Sequence, residues 1–154
     1  MAYLHWSNDL DTGIAVIDTQ HRRIVDLINE LNTANETGDP AVIKHVLNEL
    51  VDYTLSHFTF EEELQLKANY PFYKAHKRVH EIFTKRVSEF QQRAAGGENV
   101  VPEVLSMLKT WLVSHIKGDD ADYVEDVVKS LGVELKHAET TGGWLGGMLK
   151  KIFG

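Results

Sequence analysis

An all-α fold, an up-down-up-down antiparallel four-helix bundle with a C-terminal extension, is what this sequence predicts. Three observations carry that expectation. Apolar residues recur at helical spacing through four long runs. The three prolines, Pro40, Pro71 and Pro102, each fall near the start of such a run, where a missing N–H and a fixed φ are tolerated. The connections between runs are short, which favours antiparallel neighbours. No β-type alternation lasts long enough to compete.

The first helix is expected from about Asp18 to Thr37, and its apolar face reads Ile14, Ile17, Ile24, Val25, Ile28 and Leu31 with His21 in phase. The second opens with Asp39 as N-cap and Pro40 at N1. It carries two heptad-spaced rows: Ile43, Leu50, His57 and Leu64, and Leu47, Thr54, Glu61 and Ala68. The third follows Pro71 and stops at Ala94-Ala95-Gly96-Gly97, with Phe72, Val79, Phe83, Val87 and Phe90 as its stripe. His76 and His80 lie on that stripe one turn apart. The fourth runs from about Val101 to Gly118 and continues to about Leu131. Its face of Val101, Val104, Leu108, Trp111 and Leu112 leads to His115. The chain thus divides into a bundle, residues 1–131, and an extension, residues 132–154.

Composition narrows the function. With 154 residues and 43% hydrophobic content the chain can fill one core. A formal charge of -7 argues against nucleic-acid binding, which needs clustered cations to neutralise phosphates. There are no cysteines, so disulfides, thiolate zinc and iron–sulfur clusters drop out. The amino end lacks the basic and apolar regions of a signal peptide, and no stretch reaches the roughly 18 apolar residues of a spanning helix. A cytoplasmic protein is the expectation.

Eight histidines are many for this length, and five of them, His21, His57, His76, His80 and His115, fall on apolar faces. One such residue is ordinarily a hydrogen-bonded core histidine. Five imidazoles and the Glu61 carboxylate, buried without partners, would cost a few kcal/mol each, a sum comparable with the ~5–15 kcal/mol net stability of a domain. A metal satisfies them directly. That donor set exceeds a tetrahedral zinc site and is too rich in imidazole for calcium or magnesium, so two six-coordinate ions fit better. A ferritin-like di-iron site needs two Glu-x-x-His motifs in the core, whereas the one such motif here, Glu134 to His137, lies in the tail. His5, His45 and His137 are expected at the surface, and Glu62 and Glu63 on a solvated face, where they cap or form ion pairs rather than ligate.

The segments HWSNDLDTGIAVIDTQH (5–21), HFTFEE (57–62), HKRVH (76–80) and WLVSHIKGDD (111–120) together resemble the hemerythrin signature in order, type and spacing. The resemblance spans roughly residues 3–131. It implies reversible dioxygen binding at two iron ions and no enzymatic activity. His76, His80 and His115 would be terminal ligands of one iron and His21 and His57 of the other, with Glu61, Asp120 and an oxo or hydroxo group as bridges. One iron would then keep a vacant position for dioxygen, in a dry pocket for which Ile24, Phe58, Trp111, Leu112 and Ile116 are candidates. Oxygen storage, delivery or supply to a partner is the leading expectation. Oxygen or nitric-oxide sensing or scavenging, and a di-iron oxidase, are the alternatives; metal storage suits so few carboxylates poorly.

The bridge assignment strains ideal helix geometry. Asp119, at i+4 from His115, shares its face, whereas Asp120 at i+5 is turned about 140° away. The family pattern selects Asp120, and Gly118 could permit a π-bulge that swings it inward; Asp119 stands as the alternative. Beyond the resemblance, Trp144, Leu145, Met148, Leu149, Ile152 and Phe153 mark one face of a helix, with Lys150 and Lys151 on the other. Residues 144–153 are expected to lie against the chain's own bundle or a neighbouring copy, in preference to anchoring on a membrane or protein partner. The oligomeric state is left open.

Overall fold

The computed structural model describes residues 2–131 and 143–153, and every regular element among them is helical. A short 3-10 turn, Asn8–Leu10, leads into α1 (Ala15–Thr37), α2 (Pro40–Lys67), α3 (Tyr73–Ala95) and α4 (Val101–His115). A π-helical turn, Ile116–Asp120, joins α4 to α5 (Ala121–Leu131), and α6 (Gly143–Phe153) is the last described element. The first part of the extension, residues 132–142, lies outside the described residues, as do Glu134 and His137.

α1 begins three residues before the expected Asp18 because that residue does not cap it. The Asp18 amide already donates to Ile14 O at 2.9 Å, inside the helix. Its carboxylate turns back to accept from Thr12 N at 2.8 Å, Thr12 Oγ1 at 2.7 Å and Gly13 N at 3.1 Å, tying down the incoming loop. α1 ends at Gly38, whose φ of 75° is the left-handed C-cap that glycine adopts without strain. Asp39 then caps α2, its carboxylate accepting from Ala41 N at 2.9 Å, with Pro40 at N1. Phe72 departs from the expected stripe. It is the N-cap of α3 and 65% exposed, because the helix that would have turned it inward starts only at Tyr73.

α1 packs on α2 and α4, and α2 also packs on α3, α5 and α6. The apolar interior falls into two clusters. One contains Ile24, Ile28, Leu50, Phe58, Phe83 and Leu112; the other contains Ile14, Ile17, Phe60, Leu64, Tyr123 and Val127. The helices that join them change cluster beside polar residues: α1 passes from Ile17 through His21 to Ile24, and α2 passes from Phe58 to Phe60 between the buried His57 and Glu61. A buried polar layer therefore separates two apolar ends.

α6 lies on its own chain. Met148, Leu149, Ile152 and Phe153 pack on the second cluster, with the Phe153 ring 5.3 Å from Tyr53 and 6.1 Å from Phe60. Lys151 Nζ is 3.9 Å from Glu63 Oε1. The side chains of Trp144 and Leu145 lie outside the described residues. No helix among the described residues is long and apolar enough to cross a membrane.

Candidate metal centre

All seven residues singled out from the sequence are buried in the polar layer: His21, His57, Glu61, His76, His80, His115 and Asp120. α1 supplies His21, α2 supplies His57 and Glu61 one turn apart, α3 supplies His76 and His80, and α4 supplies His115 at its last residue. Asp120 closes the π turn. That turn resolves the geometric conflict, since its wider winding brings an i+5 residue back toward the His115 face. Asp120 is fully buried, whereas the Asp119 side chain is 46% exposed and accepts from His115 Nδ1 at 2.8 Å. Asp119 therefore orients the imidazole, and Asp120 reaches into the layer.

The donor atoms form two groups that share a carboxylate, Glu61 with His76, His80 and His115, and Glu61 with His21 and His57. Glu61 Oε1 contacts His57 Nε2, while its Oε2 lies 3.5 Å from His76 Nε2. Asp120 divides in the same way: Oδ2 is 3.2 Å from His21 Nε2, and Oδ1 is 3.1 Å from His115 Nε2 and 3.4 Å from His76 Nε2. Each carboxylate turns one oxygen to each histidine group.

Burial would raise the Glu61 carboxyl, but His57, then His76 and His80, outweigh it and hold the group well below the usual carboxylate range. Burial lowers the His57 imidazolium, with Glu61 opposing. Burial would also lower His115, yet Asp120 against it, with Glu61 and Asp119, raises it to about 9. In the metal-free protein these groups therefore share protons that a cation would replace.

The layer fits metal ions. His21 Nδ1 and Nε2, His57 Nε2, His76 Nε2, His80 Nδ1 and both oxygens of Glu61 and of Asp120 are buried without a hydrogen-bond partner. Such atoms cost about 1–3 kcal/mol each when left unpaired, so the arrangement makes sense around cations. His80 Nε2 and His115 Nε2 face each other at 3.1 Å. Two imidazole nitrogens each about 2.1 Å from one ion and at right angles about it stand ~3 Å apart.

Three residues support the ligands: the sequence does not single out Gln20, and it offers Asp119 only as the alternative bridge and Glu62 only as part of a solvated face with capping or ion pairing. Gln20 Oε1 accepts from His57 Nδ1 at 2.6 Å, buried at both ends. Asp119 orients His115, and Glu62 Oε2 lies 3.8 Å from His80 Nδ1 rather than on a wholly solvated face. Their signal was adjacency in sequence to a site residue, which periodicity alone cannot rank. Aromatic rings complete the wall: Phe58 stacks on His80 at 3.9 Å and half-buried Trp111 on His115 at 4.3 Å. Ile24, Leu112 and Ile116 are buried in the same cluster as Phe58. His45 stands apart with a side chain 73% exposed, and His5 is also exposed.

An all-helical protein with a buried cluster of imidazoles and shared carboxylates is the class that fold and centre define. The family model of the hemerythrin HHE cation binding domain matches residues 12–127. Bacteriohemerythrins of Stenotrophomonas maltophilia and Pseudomonas aeruginosa are 49% and 50% identical over 154 residues, covering all of both chains. That of Methylococcus capsulatus is 31% identical over 125 residues, 80% of this chain and 95% of its own. A crystal structure of a hemerythrin variant superposes with a TM-score of 0.78 at 29% identity, covering 82% of this chain and 98% of its own. The chain belongs to the hemerythrin family.

Proposed function

We propose that this protein binds dioxygen reversibly at a pair of iron ions, for oxygen storage, delivery or supply to a partner, and is not an enzyme. The observation that carries the reading is the split of Glu61 and Asp120, each with one oxygen toward His76 or His115 and the other toward His57 or His21. In this reading His76, His80 and His115 would hold one iron and His21 and His57 the other, with Glu61 and Asp120 available to both groups. The helices that bring these residues together are read as an antiparallel four-helix bundle within residues 1–131, with the extension 132–154 contributing no ligand.

The iron pair would supply the electrons for reversible dioxygen binding. The residues of the chain supply ligation, orientation and dryness. Three imidazoles on one side against two on the other leave the His21–His57 side one protein donor short, which is where a small ligand would complete the coordination. Gln20 and Asp119 hold His57 and His115 by their Nδ1 atoms, leaving each Nε2 directed at the centre. Phe58, against His57, His80 and His115, lines the layer with apolar surface, and the buried Leu112 and Ile116 of the same cluster help keep water from it. No side chain has to act as acid or base. The test is the visible spectrum of the iron-loaded, reduced protein in argon, after air, and after argon again. A charge-transfer band that appears with air and disappears with argon supports oxygen carriage; no band, or one that argon cannot reverse, refutes it.

A further inference from the structure

The side chain of Tyr123 in α5 is the largest among those fully buried, and it fills a cluster made of Ile14, Ile17, Phe60, Leu64 and Val127. Phenylalanine would pack there without a polar atom. The Tyr123 hydroxyl has no hydrogen-bond partner, and an unpaired buried hydroxyl is costly. The ring identifies the direction in which a partner lies. It meets His76 edge-on at 5.2 Å, and His76 Nε2 is in turn 3.5 Å from Glu61 Oε2. Both oxygens of Glu61 lack a hydrogen-bond donor. A donor without an acceptor and an acceptor without a donor thus face the same small region.

We propose that Tyr123 is a positioning residue of the metal centre: in the metal-loaded protein its hydroxyl donates to the Glu61 carboxylate and holds that carboxylate where it can serve both histidine groups. The α5 placement makes this coherent. The π turn that swings Asp120 inward also sets the phase of the following helix, so Tyr123, one turn beyond Asp120, points into the interior from the same wall. A hydrogen bond to a ligating carboxylate fixes its orientation and moderates its charge, and loss of such a partner lowers metal affinity by about 10–100-fold.

The inference rests on the metal-binding reading above, and the experiment separates the two. Iron(II) affinity is measured anaerobically by competition with a chelator for the full-length protein, Tyr123→Phe and Tyr70→Phe, alongside thermal melting of each metal-free form. Tyr70 touches the Tyr123 ring at 6.1 Å and is a matched control. The expected result is an affinity loss of about tenfold or more for Tyr123→Phe, with metal-free melting unchanged or raised and Tyr70→Phe like the unsubstituted protein. A smaller loss overturns the positioning role, and so does a loss shared equally by Tyr70→Phe or accompanied by a lower melting point of metal-free Tyr123→Phe. Failure of the unsubstituted protein to bind iron overturns the metal reading itself, and the tyrosine's role with it.

Discussion

Replacing Gln20 by alanine removes the acceptor for His57 Nδ1–H, a contact of 2.6 Å between side chains on α1 and α2. Gln20 is 3% exposed and His57 1%, so water cannot readily take the vacated place. The magnitude follows in two independent ways. A buried donor left unpaired costs about 1–3 kcal/mol. Loss of the partner that orients a ligating imidazole costs about 10–100-fold in metal affinity, which is ~1.4–2.7 kcal/mol. The estimates agree because both describe one event, an imidazole losing its fixed tautomer and orientation. Gln20→Ala should therefore bind iron about 10–100-fold more weakly in an anaerobic chelator competition. Gln20→Glu, which keeps an acceptor at that position, should recover most of the loss. Affinity of Gln20→Ala within twofold of the unsubstituted protein would refute the claim that His57 is held from α1.

Asp120→Ala should lose both irons in metal analysis, whereas Asp119→Ala, which only frees His115 Nδ1, should keep them with affinity lowered about tenfold; the opposite ranking would make Asp119 the bridge. In the metal-free protein His115 is raised from 6.5 to about 9, so its stabilisation is complete below about pH 6.5 and is lost as pH rises through about 9. That is about 3 kcal/mol, or roughly 6–12 °C in melting temperature for a chain of this size. A metal-free melting point that held steady or rose over that interval would contradict it. Deleting residues 143–153 should preserve iron content, since no proposed ligand lies there, and should lower the melting point by several degrees through uncovering Tyr53 and Phe60. Loss of iron would contradict that separation, and vesicle co-sedimentation of the full chain alone would assign the tail to a membrane. His45→Ala, an exposed histidine paired with Glu49 at 3.6 Å, should leave iron binding unchanged.

Helical periodicity made the polar layer legible because His21, His57, Glu61, His76, His80 and His115 replace apolar residues without shifting phase. Asp120 was a different matter. At i+5 it is off the face of any regular α-helix, and only the family pattern together with a glycine pointed to the π turn that brings it in. Phe72 shows the converse failure: it obeys the stripe by spacing but lies at the N-cap, outside the helix whose period was extended to it. The supporting roles of Gln20 and Asp119, and the one proposed for Tyr123, were illegible for a third reason, although the sequence offers Asp119 itself as the alternative bridge. Their roles depend on which atom of a neighbouring side chain they meet, and that is decided by the packing of α1, α2 and α5 rather than by any local pattern. The tail was ambiguous between its own bundle and an outside surface, because an amphipathic face specifies that it must be covered and not by what.

The central claim is that Glu61 and Asp120 organise a pair of cations rather than one. Anaerobic titration of the metal-free protein with iron(II), followed by iron and protein quantification after desalting, tests it most directly. The account predicts saturation at two irons per chain, with Glu61→Ala retaining neither. Saturation at a single iron, with full uptake by Glu61→Ala, would contradict it.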